Sequence, residues 1–258
     1  PVGSHDDLLP YLVRRLLENG ANTSFLHHAH GDTPIEALVA DPVEKLRRAG
    51  PGPNPRIPLP ADLYPDRKNS LGVNLSDLEA LVPLLRDMET ELALSHSAAP
   101  LIGGEVPDGP PRAVFDPADR RRTVGQVIEA GPDSLERALV IAAKAQPDWD
   151  AVAAEERAAI LERAADLIER ERAGLMALLV REGGKCVPDA DAEVREAADY
   201  CRYYGRLARA EFAHPKLLPG PTGEHSELRW HGRGVFACMS PWNFPLAIFT
   251  GQIVAALV

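Results

Sequence analysis

The amino-terminal stretch has the apolar spacing of an amphipathic helix. Its leucines recur at helical intervals, at Leu8, Leu9, Leu12 and Leu16. Ser4 followed by Asp7 has the form of a capping box, and Asn19-Gly20 supplies a left-handed stop. The pattern therefore predicts a first helix from about Ser4 to Gly20. Further helices are predicted over about residues 34–48 and from the capping box at Ser76–Glu79 onward.

The segment between these helices is rich in proline. Six prolines lie between positions 51 and 65, and they disfavour both a helix and a central strand. This composition favours extended polyproline geometry and predicts a tether between two folded parts. After Gly103-Gly104 the pattern changes to two short strands, Arg112–Phe115 and Thr123–Glu129. Asp116-Pro117 provides a turn between them, which predicts a β-hairpin.

The second half of the chain predicts a helical layer followed by a strand, a loop and a helix. Segments rich in Ala, Glu, Arg and Leu predict four helices in series, at about Asp133–Ala145, Ala154–Arg172, Leu175–Glu182 and Ala190–Phe212. The uninterrupted apolar run Val235–Met239 predicts a strand buried on both faces. It leads into Ser240–Pro245 and a new helix, and α/β proteins place their ligands at such strand-to-helix loops.

Composition narrows the classes of protein to which the chain can belong. Its 258 residues are 45% hydrophobic and 26% charged, as in a globular protein. The net charge of -10 has the wrong sign for binding nucleic acid. Three widely separated cysteines form no disulfide framework, which favours the reducing cytoplasm. No apolar run reaches the roughly 18 residues of a membrane span, and the first residues do not form a signal peptide.

The two ends of the sequence suggest that it continues in both directions. It begins with proline, and the apolar run Ile253–Val258 has no helix stop signal. We therefore expect an internal piece of a longer protein.

A pair of arginines on the first helix is the first candidate binding group. Arg14 and Arg15 are separated by about 100° around the helix axis, and Glu18 follows four and three residues later. A carboxylate there could hold both guanidinium groups, whose paired donors suit a ligand carboxylate. The same spacing is also found on solvated helix faces with ordinary ion pairs, and on spacing alone this is the preferred interpretation.

Asn243 is the second candidate. It lies in the loop Ser240–Pro245, where prolines on both sides stiffen the backbone. A fixed side-chain NH2 suits an oxyanion hole. The residues alone also allow Asn243 to satisfy turn backbone groups and Trp242 to be part of the core.

Two motifs resemble known families. Gly234–Leu246 resembles the Pro-Trp-Asn-Phe-Pro segment of the aldehyde dehydrogenase superfamily, and further similarities follow the same order at Asp116-Pro117, Trp149, Glu156–Leu161 and Arg181–Lys185. Pro1–His5 followed by Arg14–Phe25 is similar to the last helix of a flavin-dependent proline dehydrogenase barrel. Both motifs occur in this order in the bifunctional proline utilization A flavoenzymes, and the chain is identified as a member of that family.

This resemblance implies an α/β fold with three parts. Residues 1–49 would be the carboxy-terminal helices of a (β/α)8 proline dehydrogenase barrel, and residues 50–100 a Pro-rich helical linker. Residues 101–258 would begin a Rossmann-like, NAD-binding aldehyde dehydrogenase domain. The implied parent oxidises proline to pyrroline-5-carboxylate with FAD, and glutamate semialdehyde to glutamate with NAD. A cytoplasmic homo-oligomer, with peripheral membrane association for quinone reduction, is also implied.

The resemblance assigns roles to individual residues. Arg14 and Arg15 would bind the proline carboxylate, with Glu18 as the acidic residue of the same motif. Asn243 would stabilise the oxyanion, and the wall of the NAD pocket would be formed by Met239, Ser240, Pro241 and Trp242. The family's nucleophilic cysteine and deacylating glutamate would lie beyond residue 258, so this stretch alone is expected to be inactive.

Some features depart from the family or leave other interpretations open. The close histidines His27, His28 and His30 could bind a metal, but a solvated loop is the preferred interpretation and no metal site is predicted. One alternative is a monofunctional aldehyde dehydrogenase with an additional amino-terminal helical extension. Another is a non-catalytic helical interaction module, whose packing features would be Arg14, Arg15, Glu18, Trp242 and Asn243.

Overall fold

The computed structural model describes residues 3–20, 34–50, 52, 54 and 56–258, without the side chains of Asp7, Glu18 and Asn19. The chain divides into two compact units, Pro1–Ile57 and Pro58–Val258. In the described ranges, no helix combines the length and apolar character needed to cross a bilayer. The fold is a mixture of helices and strands, as predicted.

The first unit contains three helices among its described residues: α1 (His5–Gly20), α2 (Ile35–Leu38) and α3 (Pro42–Ala49). The first begins directly after Ser4, whose carbonyl accepts from the Leu8 amide at 3.0 Å. The prediction of one helix over residues 34–48 is wrong. A residue that precedes proline avoids helical geometry, and Asp41 is extended before Pro42 and caps α3 by accepting from the Val43 amide at 2.8 Å.

The second unit begins with a short 3-10 turn, Pro60–Asp62, and helix α4, Leu78–Leu92. The elements that follow are β1 (His96–Ala98), β2 (Arg112–Phe115), β3 (Thr123–Val127), α5 (Pro132–Asp150), α6 (Ala154–Arg170), α7 (Arg172–Arg181), α8 (Val187–Phe212), β4 (Lys216–Leu218), β5 (Ser226–Leu228) and α9 (Ala247–Leu257). The four predicted helices in series therefore form, with boundaries shifted by a few residues.

The predicted hairpin is the antiparallel pair of β2 and β3. A third strand, β1, pairs parallel to β3, giving the order β1-β3-β2. The three residues of β1 carry no alternating pattern, which is why the sequence did not predict it. Gly125 is required on β3 because a Cβ there would lie 2.3 Å from the His96 carbonyl oxygen. Strands β4 and β5 form a separate antiparallel pair.

Small side chains allow the helices of the second unit to pack closely. Helices α6 and α8 meet through alanines that are fully buried, Ala158, Ala165, Ala198 and Ala208. A Cβ on Gly205 of α8 would lie 3.3 Å from the carbonyl oxygen of Ala158. A separate apolar cluster joins α4 to α7 through Met88 and Met176. Helix α4 is therefore part of the core of this unit.

Residues 67–73, which follow the proline-rich segment and which we call the strap, lie against the helical layer. The Ser70 amide donates to Asp199 at 2.8 Å, and the Ser70 hydroxyl donates to Glu169 at 2.9 Å. Arg67 reaches Asp199 at 3.4 Å, and the Arg172 guanidinium donates to the Leu71 carbonyl. Partly buried carboxylates therefore hold the strap, and the sequence pattern gave no indication of these partners.

The prediction of a buried strand at Val235–Met239 is wrong for this structure. The segment is assigned to no strand, and Val235 and Phe236 are exposed. A strand needs a hydrogen-bonded neighbour, and no described residue pairs with this segment. Its apolar character therefore did not by itself determine its burial.

The ion pairs of Arg202 allow a test of the helical layer. Arg202 is 4% exposed and contacts Asp166 at 2.8 Å and Glu169. Arg202→Met leaves the partly buried Glu169 without the Arg202 cation, although Ser70 and Leu71 still donate to it, so the free energy of unfolding is expected to fall by about 2 kcal/mol. Urea unfolding of the chain measures this. Arg170→Met, which removes the exposed pair with Glu171, should cost less than about 1 kcal/mol.

The same network predicts that the free energy of unfolding depends on pH. Burial favours the neutral form of Glu169, but hydrogen bonds from Arg202 and Ser70 outweigh it and lower its pKa below the ordinary 4.5. The stabilising contribution is therefore complete above the ordinary value and disappears as the pH falls through the lowered one. The unfolding free energy of the wild-type chain should exceed that of Glu169→Gln at pH 7, and this excess should shrink below about pH 4.5. A difference that stays constant down to pH 3 would contradict the assignment.

Candidate active site

The loop that carries Asn243 joins an extended segment to the start of α9. Prolines at 241 and 245 restrict its backbone, and the Phe244 amide donates to the Pro241 carbonyl at 3.4 Å. At the entrance of the loop, the side-chain amide of Gln252 donates to the Met239 carbonyl at 3.0 Å. A side chain of α9 therefore fixes the residue at which the loop before this helix begins.

A buried carboxylate on α8 holds the other end of the loop. Oε1 of Glu193 accepts from the amides of Leu246 and Ala247 at 2.8 and 3.1 Å. Helix α9 has no side-chain cap of its own at Leu246, so Glu193 accepts from two of its unpaired first amides. The side chain of Glu193 is 1% exposed.

Lys185 completes this arrangement. Its ammonium lies 2.8 Å from Oε2 of Glu193 and 4.4 Å from the ring centroid of Phe244. The contact with the ring has the geometry of a cation–π interaction. Gly184, with φ +68°, makes the turn after α7 that brings Lys185 to this position. We name Glu193, Lys185 and Phe244 the loop brace.

Asn243 itself is exposed at the turn of the loop. Among the described residues, none forms a hydrogen bond with its side-chain amide. The alternative interpretation is that this amide hydrogen-bonds to backbone groups of its own turn, and no such hydrogen bond is found among the described residues. The NH2 group is free to donate to a ligand that approaches the loop.

The four residues expected to line the NAD pocket directly precede Asn243 in sequence and are open to solvent to different degrees. Trp242 and Met239 are 85% and 84% exposed, Pro241 is exposed, and Ser240 is half-buried. Trp242 is therefore not part of the core. Large exposed apolar side chains next to a neutral amide donor in the same loop are chemically suited to a planar, partly apolar ligand.

A groove of about 520 Å³ opens beside this loop. It is lined mainly by apolar side chains of α7 and of the loop, together with the Asp116-Pro117 turn: Pro117, Leu175, Leu178, Leu179, Glu182, Gly183, Trp242, Pro245 and Leu246. Asp116 lies 3.5 Å from Arg181, which connects the hairpin to the end of α7. The sequence pattern did not indicate that these distant segments converge.

The three cysteines do not form a reactive group at this loop. Cys201 is fully buried, and burial raises the pKa of its thiol to about 11. The Cys186 thiol is exposed and donates to Asp189 at 3.1 Å. Cys238 is partly buried, not enclosed in a strand as the sequence predicted.

Arg14 and Arg15 lie in the first unit, on α1, and both are exposed. The Arg15 guanidinium lies 5.5 Å from the ring centroid of Tyr11. Glu18 is within α1, but its side chain lies outside the described residues, and so does the Thr23-Ser24-Phe25 motif. His27, His28 and His30 also lie outside them. In the part of the chain that is described, no three His, Cys, Asp or Glu side chains form a group that could hold a metal ion.

Two family models match this chain, one at each candidate site. The sequence model of the aldehyde dehydrogenase family matches residues 107–258, more than half of the chain. The chain therefore belongs to the aldehyde dehydrogenase family. The model of the proline dehydrogenase family matches residues 1–28.

The whole chain is similar to proteins whose names describe them as bifunctional. It is 45% identical over 266 residues to the bifunctional protein PutA of Klebsiella aerogenes, covering 100% of this chain and 19% of that protein. The crystal structure of proline utilization A (PutA) from Bdellovibrio bacteriovorus matches with a TM-score of 0.76 and 33% identity, covering 100% of this chain and 26% of that one. The chain thus spans about a fifth of the length of its bifunctional curated relatives.

A single-function relative matches over a shorter stretch. The 1-pyrroline-5-carboxylate dehydrogenase 2 of Bacillus subtilis (strain 168) is 40% identical over 144 residues, covering 56% of this chain and 28% of that protein. The full-length match to bifunctional proteins confirms the resemblance drawn from the two motifs. It favours that interpretation over a monofunctional enzyme with an unrelated extension.

Thiol modification tests the assignment of the cysteines. With a pKa of about 11, roughly one in a thousand Cys201 side chains is a thiolate at pH 8, and burial blocks access as well. Iodoacetamide at pH 8 should modify Cys186 in the folded chain and reach Cys201 only after unfolding in urea. Mass spectrometry of the digested protein identifies the modified residue. Rapid modification of Cys201 in the folded chain would contradict its inert role.

Proposed function

We propose that the full-length protein containing this chain is a bifunctional enzyme of proline catabolism. It would oxidise proline to pyrroline-5-carboxylate, which hydrolyses to glutamate semialdehyde, and then oxidise the semialdehyde to glutamate. The observation that carries the proposal is the exposed Asn243 amide on a loop braced at both ends, in a chain that matches bifunctional relatives over its full length. We assign residues 1–49 to the proline dehydrogenase part, 50–100 to the linker and 101–258 to the aldehyde dehydrogenase part.

In the proposed aldehyde reaction, Asn243 donates a hydrogen bond to the developing oxyanion. A cysteine thiolate, other than Cys186, Cys201 and Cys238, attacks the carbonyl carbon, and the carbonyl oxygen gains negative charge. The neutral NH2 group of Asn243 is suited to stabilise that charge because none of the described residues forms a hydrogen bond with it. After the hydride has left, water cleaves the resulting thioester to give the carboxylate and the free thiol.

The residues around Asn243 fit a nicotinamide cofactor in chemical character. Met239 and Trp242 expose large apolar surfaces, and Ser240 and Pro241 complete the wall that we assign to NAD. When bound, NAD+ supplies the acceptor for the hydride of the substrate. The chain's own part is to form one side of the pocket and to orient the oxyanion donor.

The proline site is proposed to use the exposed guanidinium groups on α1. Arg14 and Arg15 would each form a charge-assisted hydrogen bond with the substrate carboxylate, and Glu18 would hold them in place. FAD, when bound, supplies the two-electron acceptor for proline oxidation. We assign no flavin contact to the described residues.

The proposal extends to the surroundings of the enzyme. Free cysteines support a reducing, cytoplasmic location. We also propose that the full-length protein forms a homo-oligomer and associates peripherally with a membrane to pass electrons to a quinone. These two properties depend on the family resemblance alone.

Substitution of the arginine pair tests the proline site. In the full-length enzyme, Arg14→Met and Arg15→Met should each raise the KM for proline by about tenfold to a hundredfold, because each removes a charge-assisted hydrogen bond worth about 1.5 to 3 kcal/mol. Semialdehyde oxidation should stay near the wild-type rate. Arg48→Met, at an exposed arginine of α3, serves as the control. Unchanged proline kinetics in both variants would show that the pair is an ordinary solvated helix face.

Substitution of Asn243 tests the aldehyde site. Asn243→Ala in the full-length enzyme should lower kcat for semialdehyde oxidation by about 10² to 10³, because the amide is needed most when the oxygen becomes an anion. The Kd for NAD+ and the rate of proline oxidation should change little. Asn54→Ala, at an exposed asparagine that accepts from the Arg56 amide in its own turn, is the matched control. A normal rate of single-turnover hydride transfer in Asn243→Ala would refute the oxyanion role.

A further inference from the structure

The loop brace connects the candidate oxyanion donor to three separate parts of the helical layer. Glu193 is on α8, Lys185 is in the turn after α7, and the amides that Glu193 accepts are at the start of α9. One carboxylate therefore contacts a cation and two backbone donors at once. Oε1 accepts from both amides, and Oε2 pairs with the Lys185 ammonium and has no hydrogen bond from the described residues.

Because this carboxylate is buried, its partners cannot readily be replaced by water. Glu193 is 1% exposed, and the Lys185 side chain is 14% exposed. Water is therefore a poor substitute for either partner if the other is removed. Asn243 is three residues before Leu246, and Phe244, next to Asn243, lies under the Lys185 ammonium. A shift of the brace would therefore move the Asn243 amide.

We propose that Glu193 is a positioning residue for Asn243. This inference rests on the proposed oxyanion role of Asn243 and adds a residue 50 positions earlier in the chain to the same site. Glu193 contacts neither substrate nor cofactor in this proposal. It fixes the start of α9 and the Lys185–Phe244 contact, and so sets the distance and angle at which the Asn243 amide is presented.

A double-mutant cycle in the full-length enzyme tests the proposal. Misplacement of a catalytic group by about 1 Å can cost on the order of a hundredfold in rate, so Glu193→Ala should lower kcat for semialdehyde oxidation by about tenfold to a hundredfold. In an Asn243→Ala background the same change should lower kcat by less than about twofold, because the misplaced donor is already absent. The KM for semialdehyde and the rate of proline oxidation should change little.

Hydrogen exchange provides a readout that does not depend on activity. The Leu246 and Ala247 amides should exchange faster in Glu193→Ala than in the wild-type enzyme, because their acceptor is gone. Glu196→Gln is the matched control: this carboxylate is on the same helix one turn away and accepts from the Tyr200 hydroxyl at 3.0 Å. It should leave both kcat and the exchange of these two amides unchanged.

The outcomes separate the inference from the function on which it rests. An equal loss of kcat in both backgrounds, or no loss in Glu193→Ala, would overturn the positioning role while Asn243 kept its own. A normal kcat in Asn243→Ala alone would overturn the oxyanion role and the inference with it. If Glu193→Ala does not fold, Glu193→Gln retains the side-chain volume and one acceptor oxygen. It should then lower kcat by about threefold to tenfold, with the same dependence on background.

Discussion

Carboxylates that helix α8 withdraws from solvent must find hydrogen-bond donors within the protein, and the second unit is arranged to supply them. Asp199 accepts from the Ser70 amide in the strap, and Glu193 accepts from the first amides of α9. A segment that precedes the helical layer in the chain and a segment that follows it therefore both contact α8. Since an unsatisfied buried carboxylate is far more costly than a satisfied one, these contacts select a single arrangement of the surrounding segments.

Close packing and polar satisfaction serve different purposes in this unit. Alanines and Gly205 let α6 and α8 approach without side-chain interference, and this produces a rigid layer. The ionic contacts then fix which irregular segment lies where on the layer. The Asn243 loop benefits from both, because α9 packs against α8 and Gly251 lies against the ring of Tyr200. An exposed loop can in this way be well ordered without being buried.

Periodicity predicted the helices and the hairpin because those elements depend on local spacing. It failed at Asp41-Pro42, where local backbone preference broke a helix, and at Val235–Met239, where an apolar run found no partner strand. Asn243 was identified through a short motif and its prolines. Glu193 was missed because a glutamate on an amphipathic helix has no sequence signal of burial, and the two amides that donate to it are more than 50 residues away.

The strap also sets where the second unit can be shortened. The family resemblance places the start of the aldehyde dehydrogenase part at residue 101. A polypeptide that starts there would lack both Ser70 and helix α4. Glu169 and Asp199 would lose the donors that Ser70 provides, and Met176 would lose its apolar neighbour Met88. Recombinant versions of the second unit should therefore begin at or before Pro58, because the strap and α4 both pack against its helical layer.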